Sequence, residues 1–140
     1  MFNPSRDQAR QFFFDAWRKY RDGRPLAGLE TVAVEVMLLH PEYHHVLDDP
    51  DRFLERDYAP EDGQANPFLH LSLHVAIAEQ LAIDQPPGIR AELERLVAQR
   101  GDRHDALHVV LECLGEVVWR AQAARTIPDG EAYLDCLRRH

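Results

Sequence analysis

Three pairs of histidines, each pair spaced four residues apart, constrain this chain more than any other feature. They are His40 with His44, His70 with His74, and His104 with His108; Glu112 follows one turn beyond the last. On an α-helix a spacing of four puts both rings on one face, a turn apart. The second and third pairs lie in strongly apolar sequence, where an imidazole without a partner is costly to bury. The pattern asks for helices, and for something the rings can share.

Helical periodicity runs the length of the chain. Ser5-Arg6-Asp7-Gln8 fits a capping box. The helix it opens repeats Ala9, Phe12, Phe13, Ala16, Trp17 and Tyr20 at spacings of three and four, which is a core stripe, and Gly23 stops it. Pro25 predicts the start of a second helix running to about Leu39. From Thr31 to Leu39 this helix is apolar on every side except at Glu35. It is therefore expected to be central, with Glu35 a buried carboxylate in need of a cation, a donor or a metal. Pro41 kinks or restarts the helix after His40. Short turns or helices are expected over 42–47 and 52–58, and a loop over 59–65.

Asn66-Pro67 is an N-cap followed by proline at the first helical position. The long apolar helix it opens reaches about Ile83, where Pro86-Pro87-Gly88 ends it. A fourth helix carries Ile89, Leu93, Leu96 and Val97 on one face and stops at Gly101. Asp102 caps a fifth, which runs to about Arg125 and is expected to bury Leu107, Val109, Val110, Leu111, Leu114, Val117, Val118 and Trp119. A short terminal helix is expected over 128–139. No stretch alternates with the period of two that a strand needs. The expected fold is all-α: a single-domain helical bundle over residues 1–140 with two central apolar helices, Pro67–Ile83 and Arg103–Arg125.

Charge and composition narrow the function. The net charge of −8 disfavours nucleic acid and anionic membrane as partners. The basic group Arg18, Lys19, Arg21 and Arg24 falls at a helix end, where cations complement the dipole. No apolar run approaches the ~20 residues of a membrane span, and the charged first residues are not a secretory signal, so a cytoplasmic protein is expected. Two cysteines, Cys113 and Cys136, make no disulfide framework, and Cys113, inside an apolar helix, is expected to be a reduced core thiol.

Short connections make neighbouring helices antiparallel. His40 and His44 then sit at the end of a descending helix, and His70, His74, His104 and His108 in the first turns of two ascending ones. All six fall at about one level of the bundle, with Glu112 and Glu35 about a turn away. Imidazole and carboxylate together suit iron, zinc or manganese. The candidate ligands are therefore His40, His44, His70, His74, His104, His108 and Glu112, with Glu35 as a ligand or its support. The set suffices for one or two metals, and no organic cofactor is expected. The rival is a non-enzymatic interaction or regulatory domain in which the histidines form a buried hydrogen-bonded network. His45 and His140 look peripheral.

Several longer motifs carry a resemblance. They are Met1-Phe2-Asn3-Pro4-Ser5-Arg6, Leu39-His40-Pro41-Glu42-Tyr43-His44, Asn66-Pro67-Phe68-Leu69-His70, Ile83-Asp84-Gln85-Pro86-Pro87-Gly88-Ile89-Arg90 and Glu112-Cys113-Leu114-Gly115-Glu116. In these the chain resembles a family of small bacterial all-helical proteins known only as a domain of unknown function, which implies a fold class and no activity. More loosely, His70-x-x-x-His74 and His108-x-x-x-Glu112 are similar to the ligand spacings of hemerythrin-like bundles. That likeness implies a non-haem metal centre with a redox, sensing or small-molecule-binding role. Here the order of the motifs differs, His104 is additional and the final His-x-x-x-x-Asp is absent. His104-Asp105 is also similar to the His-Asp pair of metal-dependent phosphohydrolases.

Overall fold

A computed structural model describes residues 4–58 and 66–140. The capping box expected at Ser5 and the loop expected over 59–65 lie outside the described side chains and residues. Every regular element among the described residues is helical. In order these are α1 (Pro4–Arg21), α2 (Leu29–Leu38), a 3-10 turn (Pro41–Tyr43), α3 (His44–Leu47), α4 (Pro50–Phe53), α5 (Pro67–Ile83), α6 (Ile89–Arg100), α7 (Arg103–Ala124) and α8 (Gly130–Arg138). The all-α class is as expected. The chain divides into two compact units, Met1–Val75 and Ala76–His140.

In the first unit α1 packs on α2 and α3 around Phe13, Phe14, Trp17, Val34, Met37, Leu47, Phe53, Phe68 and Leu71. Large apolar side chains of this kind stabilise by about 1.5–3 kcal/mol each when fully buried. Helix α2 begins at Leu29 rather than at Pro25. Gly28, at φ 56°, turns the chain just before it, and Glu30 closes the start by accepting from Ala27 N–H at 3.2 Å and from Lys19 Nζ at 2.6 Å. The expectation that α2 is buried all round is corrected. Thr31, Glu35, Leu38 and Leu39 are exposed, and their spacing of four, three and one marks a single helical stripe. Glu35 is therefore no buried carboxylate.

Arg10 is 2% exposed. Its Nη1 donates to the carbonyls of Leu54 at 3.0 Å and Arg56 at 2.6 Å and lies 3.4 Å from that of Phe53. Its guanidinium lies over the Phe68 ring, 4.6 Å from the centroid. Burial pulls its pKa below the ordinary value, and the Arg6 charge adds to this. Arg10 thus fastens the end of α4 to α1. Asn66 caps α5 as expected, its Oδ1 accepting from Phe68 N–H at 3.0 Å and Leu69 N–H at 3.2 Å.

In the second unit α6, α7 and α8 pack together and bury Ile89, Leu93, Leu96, Val110, Leu114, Val117, Leu134 and Leu137. Arg90 closes the end of α5 by donating to the carbonyls of Leu81 and Ala82, both at 2.6 Å. Gly101, at φ 74°, ends α6, and Asp102 caps α7 by accepting from His104 N–H. Helix α7 buries one side, and Leu107, Leu111 and Val118, expected to be buried, are half-buried at its edges. Its buried residues Ala106, Val109, Val110, Cys113, Leu114, Val117 and Ala121 form one stripe. Trp119 falls about 200° around the helix from Val117 and is 68% exposed, which corrects the expectation that it is core.

The cysteines are also corrected. Cys113 on α7 and Cys136 on α8 form a disulfide, their Cα atoms 5.8 Å apart. Both sites are buried, as expected of Cys113, but the packing of α8 on α7 brings the two sulfurs together.

Tyr133 is buried and its hydroxyl donates to Gln80 Oε1 at 2.8 Å. Burial pushes the phenol well above its ordinary value. Because the folded pKa is raised, this group's stabilisation is complete below the unfolded value of ~10 and is lost as pH rises beyond it. Tyr133→Phe is therefore expected to flatten the alkaline fall of melting temperature above about pH 10. At neutral pH it should cost about 1 kcal/mol for the stranded Gln80 carbonyl. Thermal melts of both proteins from neutral to alkaline pH check this; parallel alkaline slopes would count against it.

Candidate metal centre

Three histidines of the first unit meet. His40 ends the turn that follows α2, and His70 and His74 project from the first turns of α5. His40 Nε2 is 3.2 Å from His70 Nε2, which is 3.2 Å from His74 Nε2. Ligand atoms of the three rings all lie within 4.8 Å of one another. His40 is 1% exposed and His74 4%; His70 is half-buried. Ring centroids are 4.9 Å apart for His40 and His70, 4.6 Å for His40 and His74, and 4.8 Å for His70 and His74. Tyr43 stacks on His40 at 5.7 Å and meets His70 edge-on at 5.8 Å. Burial, and then the Glu42 charge, raise the Tyr43 phenol above its ordinary value, so it stays protonated at neutral pH.

The protons in this cluster can be partly assigned. His40 Nδ1 lies 2.8 Å from the Val36 carbonyl oxygen. A carbonyl only accepts, so Nδ1 carries the hydrogen and, in the neutral ring, Nε2 presents a lone pair. One proton on His70 Nε2 makes one well-aligned hydrogen bond. With neutral rings the second 3.2 Å contact therefore sets lone pair against lone pair or shares a bent bond. A cation satisfies every lone pair at once. Ligands at about 2.0–2.1 Å around a tetrahedral ion stand about 3.3–3.4 Å apart, close to the separations found here. The Nδ1–H bond from His40 to a backbone oxygen is also the support that metal-bound histidines usually have.

Two other expected ligands of this unit, His44 and Glu35, are placed differently. His44 does not join the three. The 3-10 turn at Pro41–Tyr43 interrupts the helix, so His40 and His44 are no longer one turn apart on one face. His44 Nε2 instead donates to the Met37 carbonyl at 2.8 Å, and its ring packs on Trp17 at 4.5 Å. In the second unit His104 and His108 do form an i,i+4 pair on α7, their rings edge-to-face at 4.3 Å. Glu112 is exposed there, as Glu35 is in the first unit. His45 is exposed beside Phe53, as expected of a peripheral residue. His140, also read as peripheral, is exposed yet stands with Cys113 and Cys136 in a second group of ligand atoms. The helical spacing of Cys136 and His140 was the available sequence signal for it.

Fold and site together define an all-α protein with a buried cluster of histidines able to hold a metal ion. The chain belongs to the family described as Domain of unknown function (DUF1841), whose model matches residues 5–139. No curated protein and no solved structure matches it. No helix among the described residues is long and apolar enough to cross a membrane.

Proposed function

We propose that this protein binds one divalent transition metal through His40, His70 and His74. The observation that carries the reading is the meeting of three ring nitrogens, with the His40 tautomer set by Val36. Glu35 and Glu112 are exposed and His44 is bonded to backbone. The remaining donors are imidazoles, which favour zinc or iron over manganese and one ion over two. Three protein ligands leave a position for water or a small molecule. We infer from that open position a non-haem role in sensing, redox chemistry or small-molecule binding, and we place the protein in the cytoplasm. The part of His104, His108 and Glu112 rests on the helix register read from the sequence.

Elemental analysis of protein purified without an affinity tag tests the proposal. About one equivalent of zinc or iron is expected, restored after chelation by adding the metal back. A protein that carries none and takes up none would instead support the rival reading, a regulatory or interaction domain with a metal-free histidine network. His108→Gln adds a second measurement: a further loss of affinity assigns that residue to the set.

A further inference from the structure

Four potential ligands gather in the second unit around the disulfide. Cys113 and Glu116 are three residues apart on α7, and Cys136 and His140 are four apart at the end of α8. Arg139 keeps helical geometry and His140 N–H donates to the Leu137 carbonyl at 3.1 Å, so the last turn carries His140 back along the helix. A ring nitrogen of His140 and both sulfurs lie within 4.8 Å of one another. Glu116 Oε2 is 3.8 Å from Cys136 Sγ, while its other oxygen, Oε1, is held by Arg120 at 2.5 Å. A disulfide sulfur has no proton to donate, so in the oxidised protein the carboxylate only stands beside it.

We propose that Cys113, Cys136, His140 and Glu116 form a second metal site, for zinc or a similarly thiophilic divalent ion, that exists only when the disulfide is reduced. A dithiol reductant supplies two electrons and two protons. The S–S bond breaks, each cysteine becomes a thiol, and the reductant is itself oxidised to a disulfide. Binding a divalent metal then displaces the two thiol protons, because the thiolate is the ligand. The sulfurs must part to about 3.8 Å, the edge of a tetrahedron with metal–sulfur bonds of about 2.3 Å. Two thiolates, an imidazole and a carboxylate are a donor set that zinc accepts. Oxidation and metal binding thus exclude each other, and the site reports the redox state of its surroundings.

Cobalt(II) is the probe, added to the 140-residue chain carrying His70→Ala to weaken the histidine centre. Before reduction no thiolate-to-cobalt charge-transfer absorption is expected. After treatment with dithiothreitol and its anaerobic removal, the absorption should appear and saturate at one equivalent, and zinc should displace it. His140→Ala and Glu116→Gln should each weaken cobalt binding at least tenfold. Zinc should also protect both thiols of the reduced, unsubstituted chain from alkylation by iodoacetamide, a readout that needs no variant. Absence of the absorption after reduction, or equal alkylation with and without zinc, would overturn the site. Cobalt binding untouched by both substitutions would overturn its ligand set. None of these outcomes depends on whether the histidine centre binds metal.

Discussion

Replacing His70 by alanine is expected to weaken zinc or iron binding by more than about 100-fold, a loss larger than substituting an outer partner of a metal ligand usually causes. His70 is the middle of the cluster, its Nε2 being 3.2 Å from both His40 and His74. Without it the ion keeps two imidazoles, which leaves most of its coordination to water. His44→Gln is the matched control. Its ring belongs to Met37 and Trp17, so it should cost stability, about 1 kcal/mol for the hydrogen bond, and leave affinity nearly unchanged. Competition against a chromophoric chelator measures both. A loss for His70→Ala of under about tenfold, equivalent to 1.4 kcal/mol, would place the metal elsewhere or nowhere.

The second large effect is on stability. Arg10→Met keeps most of the side-chain volume and removes every donor. The carbonyls of Leu54 and Arg56 then lose a charged partner, and hydrogen bonds to a charged group contribute about 1.5–3 kcal/mol each. A destabilisation of about 3 kcal/mol or more is expected, lowering the melting temperature by on the order of 10 °C. Arg10→Lys should recover only part of this, because an ammonium lacks the planar fork that fits over Phe68 while reaching the carbonyls. Denaturant unfolding of the three proteins measures the differences. A loss below about 1 kcal/mol for Arg10→Met would mean that solvent takes the guanidinium's place.

Local chemistry was legible in the sequence. The caps at Asn66 and Asp102, the stop at Gly101 and the break at Pro41 depend on a few neighbouring residues, and each lies where its side chain or backbone geometry requires. The i,i+4 spacing of His70 and His74 was legible for the same reason. A helix fixes which residues share a face before anything packs against it.

Facing and partnership were decided by tertiary structure. Helix α2 has almost no polar stripe to say which side turns outward, so the exposure of Glu35, Leu38 and Leu39 depended on where α1 packs. Nothing local marks Arg10 for burial; the carbonyls at the end of α4, more than forty residues away in sequence, give its guanidinium its partners. His40 and His44 share a spacing with the other pairs, but the turn after Pro41 sent one ring to His70 and the other to Trp17. The disulfide is the plainest case. Cys113 and Cys136 are 23 residues apart, and no local rule relates them. Only the packing of α8 on α7 brings their sulfurs together, because side-chain contacts between helices are fixed by the facing surfaces and not by either sequence alone.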